Sequence, residues 1–248
     1  EEGENWQLTL LKAWKNMNGS DQYGLFVELK DGWKTYWRNP GDSGFVPEFQ
    51  ILKSKNLDKL EVYWPTPQIF YENENEIYGF SKKLILPIVI HPQKKHVPAE
   101  FELKITLGFC KDICIPKTFH LKSKNLQNTS EKQNREILKS ISKVPVNLSN
   151  SKKFIFCTVF KDGEKLKLVS QLDSEYFKAN KRIKDIIFQY KDGSVWFTNK
   201  TQGMDQGIQT FQTTLNHVNN KKILVDRSKI ELTLLTQDGG FIVNGCLS

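Results

Sequence analysis

The feature that most constrains the fold of this chain is a series of short apolar runs, separated by turn signals, over residues 6–121. Asp31-Gly32 and the segment NPGDSG at residues 39–44 are typical of tight turns. The runs between such turns are YGLFVELK, WKTYW, LEVYWP, KLILPIVI and AEFELKITLGF. Strands at this spacing predict a β-sandwich and argue against a parallel α/β sheet.

One segment between the apolar runs has the pattern of a helix. In TSEKQNREILKSISK, Thr129 or Ser130 is placed to cap the helix, and Pro145 ends it. The apolar residues that share one face of this helix are Ile137, Leu138, Ile141 and Val144. Because the segments around the helix are polar, we place a domain boundary there.

Apolar runs resume at residue 153 and continue to the end of the chain. FIFCTVF, KLKLVSQL, DIIFQYKDGSVWF and GIQTFQTTLN are among them, and no Gly-rich phosphate loop or internal repeat stands out. We therefore predict an all-β chain with a β-sandwich domain over residues 1–126, a helical linker over residues 127–150 and a second β-sandwich domain over residues 151–248.

Composition and charge exclude several classes of protein. A net charge of +8 arises from lysines that are scattered along the chain, and no nucleic-acid-binding motif accompanies them, so we expect no nucleic-acid partner. No apolar run approaches the roughly 20 residues that cross a bilayer. The opening EEGENW lacks the basic and apolar regions of a signal peptide, so an exported chain has already lost its signal peptide.

Two of the four cysteines, Cys110 and Cys114, lie in the segment ITLGFCKDICIPK. In the segments before Cys110 and after Cys114, the apolar residues lie at odd-numbered positions, whereas both cysteines lie at even-numbered positions. Because successive side chains of a strand point to opposite faces, both cysteines are expected to face a surface or a pocket and not the apolar core. Thiol exchange requires such access.

The three-residue gap between these cysteines predicts a sharp reversal of the chain. A fully extended segment separates their Cα atoms by about 13 Å, whereas a disulfide requires about 5.5–6 Å. A bond across so short a loop constrains the unfolded chain only slightly and therefore stabilises the fold little. Three interpretations stay open: a redox-active pair, which we favour, a structural disulfide in a β-hairpin, and a metal site with His120 nearby.

The other cysteines, Cys157 and Cys246, lie in the first and last predicted strands of the second domain. Apolar residues surround Cys157 in FIFCTVF, which predicts a buried position. Our preferred interpretation is a structural disulfide between the two, with two unpaired buried thiols as the alternative. Such a bond closes a loop of about ninety residues and contributes roughly 4 kcal/mol to stability.

The aromatic residues of the strand WKTYW allow two roles. Trp33, Tyr36 and Trp37 are able to form a docking surface for a partner, or to pack in the core. Aromatic residues at alternating positions of a strand are more often core residues, so we assign these three to packing.

Four segments of the first predicted domain together resemble the disulfide bond corrector family, the N-terminal periplasmic domains of DsbD-type and ScsB-like thiol:disulfide interchange proteins. They are GLFVELKDGWKTYWRNPGDSG, YWPTP, IYGFSKKLILPIVI and LGFCKDICIPK. The three-residue gap between the cysteines is similar to that of the ScsB-like branch. The family implies an immunoglobulin-like fold, so we expect two tandem immunoglobulin-like β-sandwich domains.

The resemblance also implies roles for individual residues. Cys114 would form the mixed disulfide with partners, and Cys110 would resolve it. The family shields its cysteines with an aromatic cap loop, which falls within IFYENENEIYGF in this sequence. The candidate cap residues and acid groups are Phe70, Tyr71, Glu72 and Glu74. For the two aromatic residues, ordinary packing at the edge of the sandwich is the alternative.

The function that the resemblance implies is periplasmic thiol:disulfide interchange by a monomer, which makes a protein-disulfide reductase-like oxidoreductase the expected enzyme class. A membrane thiol carrier would donate electrons, an oxidised periplasmic protein would accept them, and no cofactor or metal is needed. The main alternative is a non-catalytic protein-binding module with structural disulfides. A copper or zinc carrier is a third possibility, although Met17 and Met204 are the only methionines available for copper.

Overall fold

The computed structural model describes residues 3–72, 75–124, 126–148, 155–173, 183–218, 224–237 and 239–245, within two compact units, Glu1–Val144 and Pro145–Ser248. Regular structure in both units is almost entirely β-strand, so the predicted all-β, immunoglobulin-like fold is confirmed. In the part of the chain that these ranges cover, no helix is long and apolar enough to cross a membrane.

The first unit is built from two sheets of antiparallel strands. Its strands are β1 (Trp6–Lys15), β2 (Asp21–Leu29), β3 (Lys34–Gly41), β4 (Glu48–Lys55), β5 (Leu57–Val62), β6 (Gln68–Glu72), β7 (Asn75–Ser81), β8 (Lys83–Pro92), β9 (Glu100–Cys110) and β10 (Cys114–Lys122). One sheet has the strand order β1-β2-β8-β5. The other has the order β10-β9-β3-β7-β6, and β4 also pairs with β9.

The apolar residues of β9 fill the core with the alternation that the sequence predicts. Phe101, Leu103, Ile105, Leu107 and Phe109 are each at most 3% exposed. On β3, Tyr36 and Trp37 are also buried, as predicted for packing residues, whereas Trp33 beside that strand is half-buried. The regular burial of β9 places its other face, which includes Cys110, away from the centre of the sandwich.

The predicted helix is present as α1 (Glu131–Ile141). Ser130 is its N-cap, and the hydroxyl of Ser130 and the side chain of Gln133 each accept a hydrogen bond from the other residue's backbone N–H. The apolar face is narrower than predicted. Ile137 has no exposed surface, but Leu138 is 54% exposed and Ile141 is 37% exposed.

The helix packs against the first unit. Ile137 lies in a cluster with Leu11 of β1 and Phe26 of β2, and the hydroxyl of Ser140 donates to the carbonyl oxygen of Ile85 on β8 at 2.6 Å. The sequence pattern assigns this helix to a linker over residues 127–150, whereas its contacts make it part of a unit that ends at Val144. Because the sequence around Ile137 is polar, the sequence pattern alone does not indicate that this helix packs on the sheet.

Ile137→Ala is expected to lower the free energy of unfolding of the first unit by about 2–4 kcal/mol, because it opens a cavity between α1 and the sheet. Leu138→Ala, at a mostly exposed position, is the control and is expected to change it by less than about 1 kcal/mol. Urea unfolding followed by tryptophan fluorescence reports mainly on this unit, because every tryptophan except Trp196 lies in it. Equal effects of the two substitutions would contradict the docking of α1 on the sheet.

The second unit also contains two sheets. Its strands are β11 (Val146–Asn147), β12 (Ile155–Asp162), β13 (Lys165–Asp173), β14 (Asp185–Tyr190), β15 (Val195–Asp205), β16 (Ile208–His217), β17 (Ile230–Leu235) and β18 (Gly240–Asn244), with a 3-10 turn at Arg227–Lys229. The strand orders are β11-β18-β17-β14, in which β11 runs parallel to β18, and β12-β13-β16-β15. The core of this unit includes Ile155, Phe211 and Leu232, none of which has exposed surface.

Candidate functional site

The hairpin between β9 and β10 holds the first pair of cysteines. Cys110 ends β9, Cys114 begins β10, and residues 111–113 reverse the chain between them. The two cysteines are opposite each other in the strand pair, their Cα atoms are 4.2 Å apart and their sulfurs are bonded. The backbone N–H of Lys111 donates to the carbonyl oxygen of Ile113 at 3.4 Å. The predicted sharp reversal and the bond across it are both present.

The two ends of this disulfide differ in exposure. Cys110 is 4% exposed, whereas Cys114 is an exposed residue that follows Ile113, which is 74% exposed. The residues that cover Cys110 are Tyr36, Ile77, Phe45 and Phe70. Cys110 therefore points away from the core face of β9, as the parity predicts, but it points into a second, smaller apolar cluster. A molecule from solution meets the Cys114 end of the bond first.

The neighbouring strands bring specific side chains to this face of the sheet. Lys34 of β3 is opposite Cys110 of β9. Tyr36, two residues after Lys34, lies on the same face because side chains alternate along a strand. Further across the sheet, Phe70 of β6 is opposite Ile77 of β7. Side chains from several strands, from β10 to the edge strand β6, therefore lie on the face of the sheet that carries the disulfide.

Tyr36 contacts the disulfide directly. Its hydroxyl oxygen lies 2.7 Å from Sγ of Cys114, and because a disulfide sulfur carries no hydrogen, the hydroxyl is the donor. Two glycines leave room for the ring: a Cβ at Gly44 would lie 2.8 Å from Cδ1 of Tyr36, and a Cβ at Gly108 would lie 2.8 Å from Cδ2. A larger residue at either glycine would crowd the ring, together with Pro40 at Gly44 and Phe45 at Gly108.

The surroundings of Tyr36 keep its hydroxyl protonated. Burial raises the pKa of Tyr36 above its ordinary value, and the nearby carboxylate of Glu72 raises it further. The hydroxyl therefore remains a donor at neutral pH. When the disulfide is reduced, a thiolate at Cys114 is a stronger acceptor for this hydrogen bond than a neutral sulfur is.

The four predicted cap residues and acid groups have different positions. Phe70 is partly buried and contacts the cluster around Cys110. Tyr71, the next residue of β6, is 67% exposed, as expected for the opposite face of the strand. Glu72 forms an ion pair with Lys34, and Glu74 lies outside the described residues. Phe70 and Glu72 are thus on the side of the disulfide, whereas Tyr71 is not.

The sequence-based prediction misses the part that two residues play in this site. Tyr36 is assigned there to packing, and Lys34 is not singled out. Both have the same parity on β3, which is opposite to that of the core residue Trp37. Their shared position on one face of β3 points to the site only once the pairing of β3 with β9 is known, because that pairing places this face beside Cys110.

The described residues offer little for a metal ion. Among them, no group of three or more His, Cys, Asp and Glu side chains is placed to hold one. His120, the additional ligand considered from sequence, is an exposed residue of β10 opposite Lys104.

The second unit contains a buried cysteine. Cys157 of β12 has no exposed surface. Its Sγ lies 3.3 Å from the hydroxyl oxygen of Ser170, and Arg227 donates to its carbonyl oxygen at 3.2 Å. The predicted burial of Cys157 is confirmed. Cys246 lies outside the described residues, so its pairing with Cys157 stays a prediction.

The fold, the hairpin disulfide and a family match together support the assignment of the first unit to the thiol:disulfide interchange domains. The disulfide joins neighbouring strands of an immunoglobulin-like sandwich, with an exposed residue at one end and a covered one at the other. Residues 7–125 match the family model described as thiol:disulfide interchange protein DsbD, N-terminal. The match confirms over these residues the resemblance found in the sequence.

The chain also has a counterpart among solved structures. It is similar in fold to the N-terminal periplasmic domain of ScsB from Proteus mirabilis, with a TM-score of 0.76 and 18% sequence identity. The similarity covers 99% of this chain and 94% of that one, so it includes the second unit as well as the first. None of the curated proteins matches the chain.

Proposed function

We propose that this chain is a periplasmic thiol:disulfide interchange protein that relays reducing equivalents through Cys110 and Cys114. The observation that carries the proposal is the unequal exposure of the two bonded cysteines, with Cys114 exposed and Cys110 covered. A thiolate of another protein is able to attack the exposed Cys114, whereas the covered Cys110 attacks the resulting mixed disulfide from within the chain and resolves it. The family match over the first unit supports the same chemistry.

The first half of the proposed cycle reduces the disulfide. A thiolate of a donor dithiol attacks Sγ of Cys114, the bond between Cys110 and Cys114 breaks, and Cys110 leaves as a thiolate that takes up a proton. The second thiolate of the donor then attacks the donor sulfur of the mixed disulfide and releases Cys114 as a thiolate. Two electrons have passed to this chain, which holds a dithiol, while the donor holds a disulfide.

The second half passes those electrons onward. The thiolate of Cys114 attacks a disulfide of the acceptor and forms a mixed disulfide, with one acceptor sulfur leaving as a thiolate. Cys110 loses its proton and attacks Sγ of Cys114, which restores the original bond and releases the reduced acceptor. Tyr36 assists both halves, because its hydroxyl stabilises the thiolate of Cys114 whenever that thiolate is released.

The partners that fit this cycle are a membrane thiol carrier as donor and an oxidised periplasmic protein as acceptor. Both must present a cysteine pair that reaches Cys114, which the exposed tip at Ile113 leaves accessible. The assignment to the periplasm agrees with the periplasmic location of the ScsB domain that shares the fold, and with an oxidising compartment as the usual home of disulfides.

The test is the reduction potential of the Cys110–Cys114 bond, measured in the full chain by equilibration with glutathione buffers and mass spectrometry after alkylation. A relay is expected to fall between about −120 and −270 mV, the range of known exchange proteins, whereas structural disulfides lie below about −300 mV. A value in the structural range, with the bond intact in millimolar reductant, would replace this proposal with the alternative of a binding module.

A further inference from the structure

Lys34 makes two contacts that converge on one side of the disulfide. Its ammonium group pairs with the carboxylate of Glu72, and it lies 5.1 Å from the centre of the Phe70 ring. The side chain of Lys34 is 18% exposed and that of Glu72 is 37% exposed, so the pair is partly shielded from water. A partly desolvated cation gains from both a carboxylate and an aromatic face.

These contacts connect an inner strand to an edge strand. Lys34 belongs to β3, which lies between β9 and β7, whereas Phe70 and Glu72 belong to β6, which has β7 as its one neighbour in the sheet. An edge strand with one neighbour separates from a sheet more easily than an inner strand does. Through its contacts with Phe70 and Glu72, Lys34 therefore stabilises the position of β6 next to the strands that carry Cys110 and its neighbours.

We infer that Lys34 is a positioning residue that holds Phe70 over Cys110 and so directs incoming thiols to Cys114. The inference rests on the proposed function and adds to it the means by which one sulfur is selected. Cys110 is buried together with Tyr36 and Ile77, and Phe70 packs against this cluster, so a thiolate that attacks Cys110 has to displace part of it. With Lys34 in place that approach is closed, and attack falls on the exposed sulfur.

The loss of Lys34 has a defined chemical consequence. Without the ammonium group, Phe70 and Glu72 of β6 lose their contacts with Lys34 of β3, and Phe70 is held only by its packing against the cluster around Cys110. The Phe70 ring then leaves the cluster for part of the time, which exposes Cys110. Both sulfurs become targets, so the disulfide reacts faster and with less selectivity between its two ends.

The experiment uses the oxidised full chain with reduced glutathione at neutral pH as the probe. Samples are quenched in acid over a time course, free thiols are alkylated, and the glutathione adducts are located by mass spectrometry of tryptic peptides. Cleavage after Lys111 separates the two cysteines, because Cys110 falls in ITLGFCK and Cys114 in DICIPK. Each sulfur is therefore read independently.

In the unmodified chain, glutathione is expected almost entirely on Cys114. Lys34→Met is expected to accelerate adduct formation by about threefold to tenfold and to place at least about a tenth of the adducts on Cys110, as fits the loss of one partly buried cation. Lys34→Arg keeps the charge and the contact with an aromatic ring, so it is expected to restore the selectivity of the unmodified chain.

Lys83 supplies a matched control. It also pairs with carboxylates, those of Glu28 and Glu136, and it lies 5.5 Å from the centre of the Phe26 ring, but on the other sheet of the same unit. Lys83→Met is expected to leave the rate and the adduct site unchanged. The inference is overturned if Lys34→Met behaves like the unmodified chain, or if Lys83→Met produces the same shift to Cys110.

Failure of this inference and failure of the relay have different signatures. Glutathione reacts with any accessible protein disulfide, so the selectivity of Cys114 over Cys110 is measurable whatever the natural partner is. A reduction potential in the structural range, together with a Lys34-dependent adduct site, would remove the relay and keep the positioning role. A potential in the exchange range with an adduct site that does not depend on Lys34 would keep the relay and remove the positioning role.

Discussion

Cys110→Ser is expected to form a stable mixed disulfide with an oxidised protein substrate, and Cys114→Ser is expected not to. Each variant keeps one thiol in the hairpin, so the two differ in which sulfur is present. The thiol of Cys114 is exposed and receives the Tyr36 hydrogen bond, whereas the thiol of Cys110 lies under its cluster with 4% of its surface exposed. The rate of complex formation is expected to differ by at least about a hundredfold, the scale for loss of a reacting nucleophile.

Each variant is mixed with a substrate protein that contains a disulfide, and the products are measured by non-reducing electrophoresis and intact mass spectrometry. The unmodified chain, in its reduced form, serves as the control, because its second cysteine resolves the complex and releases reduced substrate. Complex formation by Cys114→Ser at a rate similar to that of Cys110→Ser would contradict the proposed division of roles between the two cysteines. No complex with either variant would argue against exchange at this hairpin.

Tyr36→Phe is expected to lower the reactivity of Cys114 mainly on the acidic side of its pH profile. The Tyr36 hydroxyl stabilises the charged thiolate, so its removal favours the protonated thiol and moves the midpoint of the profile upward by about one pH unit. Below the midpoint, the alkylation rate falls by up to about tenfold. Well above it the thiol is ionised in both proteins, so the difference becomes small.

Alkylation of Cys114 in the Cys110→Ser background measures this effect, since one thiol then reports. Because the pKa of Tyr36 is raised by its burial and by Glu72, Tyr36 itself does not titrate in the neutral range and adds no second step there. Tyr78→Phe is the control: Tyr78 is also buried, but its hydroxyl donates to Glu76 at 2.7 Å. A midpoint that stays in place in Tyr36→Phe would show that the hydrogen bond does not act on the thiolate.

The local geometry of the cysteine hairpin was predictable because it follows from covalent limits. The three-residue gap between Cys110 and Cys114 allows a bond only through a tight reversal, and the alternation of apolar residues in β9 sets the face on which the cysteines lie. The strand parity holds in the structure from Phe101 to Phe109. These features depend on neighbours in the sequence and need no knowledge of the rest of the fold.

The cover over Cys110 was only partly predictable, because it depends on which strands become neighbours. The family resemblance points to Phe70, but Lys34 and Tyr36 precede Cys110 by more than seventy residues and meet it only through the pairing of β3 with β9. The position of the helix α1 differs from the predicted linker for a similar reason. Its polar composition suggests a linker, and the contact of Ile137 with the sheet that makes it part of the first unit is a long-range contact.

The placement of Cys110 and Cys114 on consecutive strands of one sheet has a consequence for the whole cycle. The backbone pairing of β9 with β10 extends from the cysteines to Lys122 opposite Glu102, so the two strands are also joined well beyond the bond between the sulfurs. Closing a loop of so few residues contributes only about 2 kcal/mol on the entropic model. The oxidised and reduced forms are therefore expected to be isostructural and both folded, so that electrons pass through a scaffold that does not refold between one partner and the next.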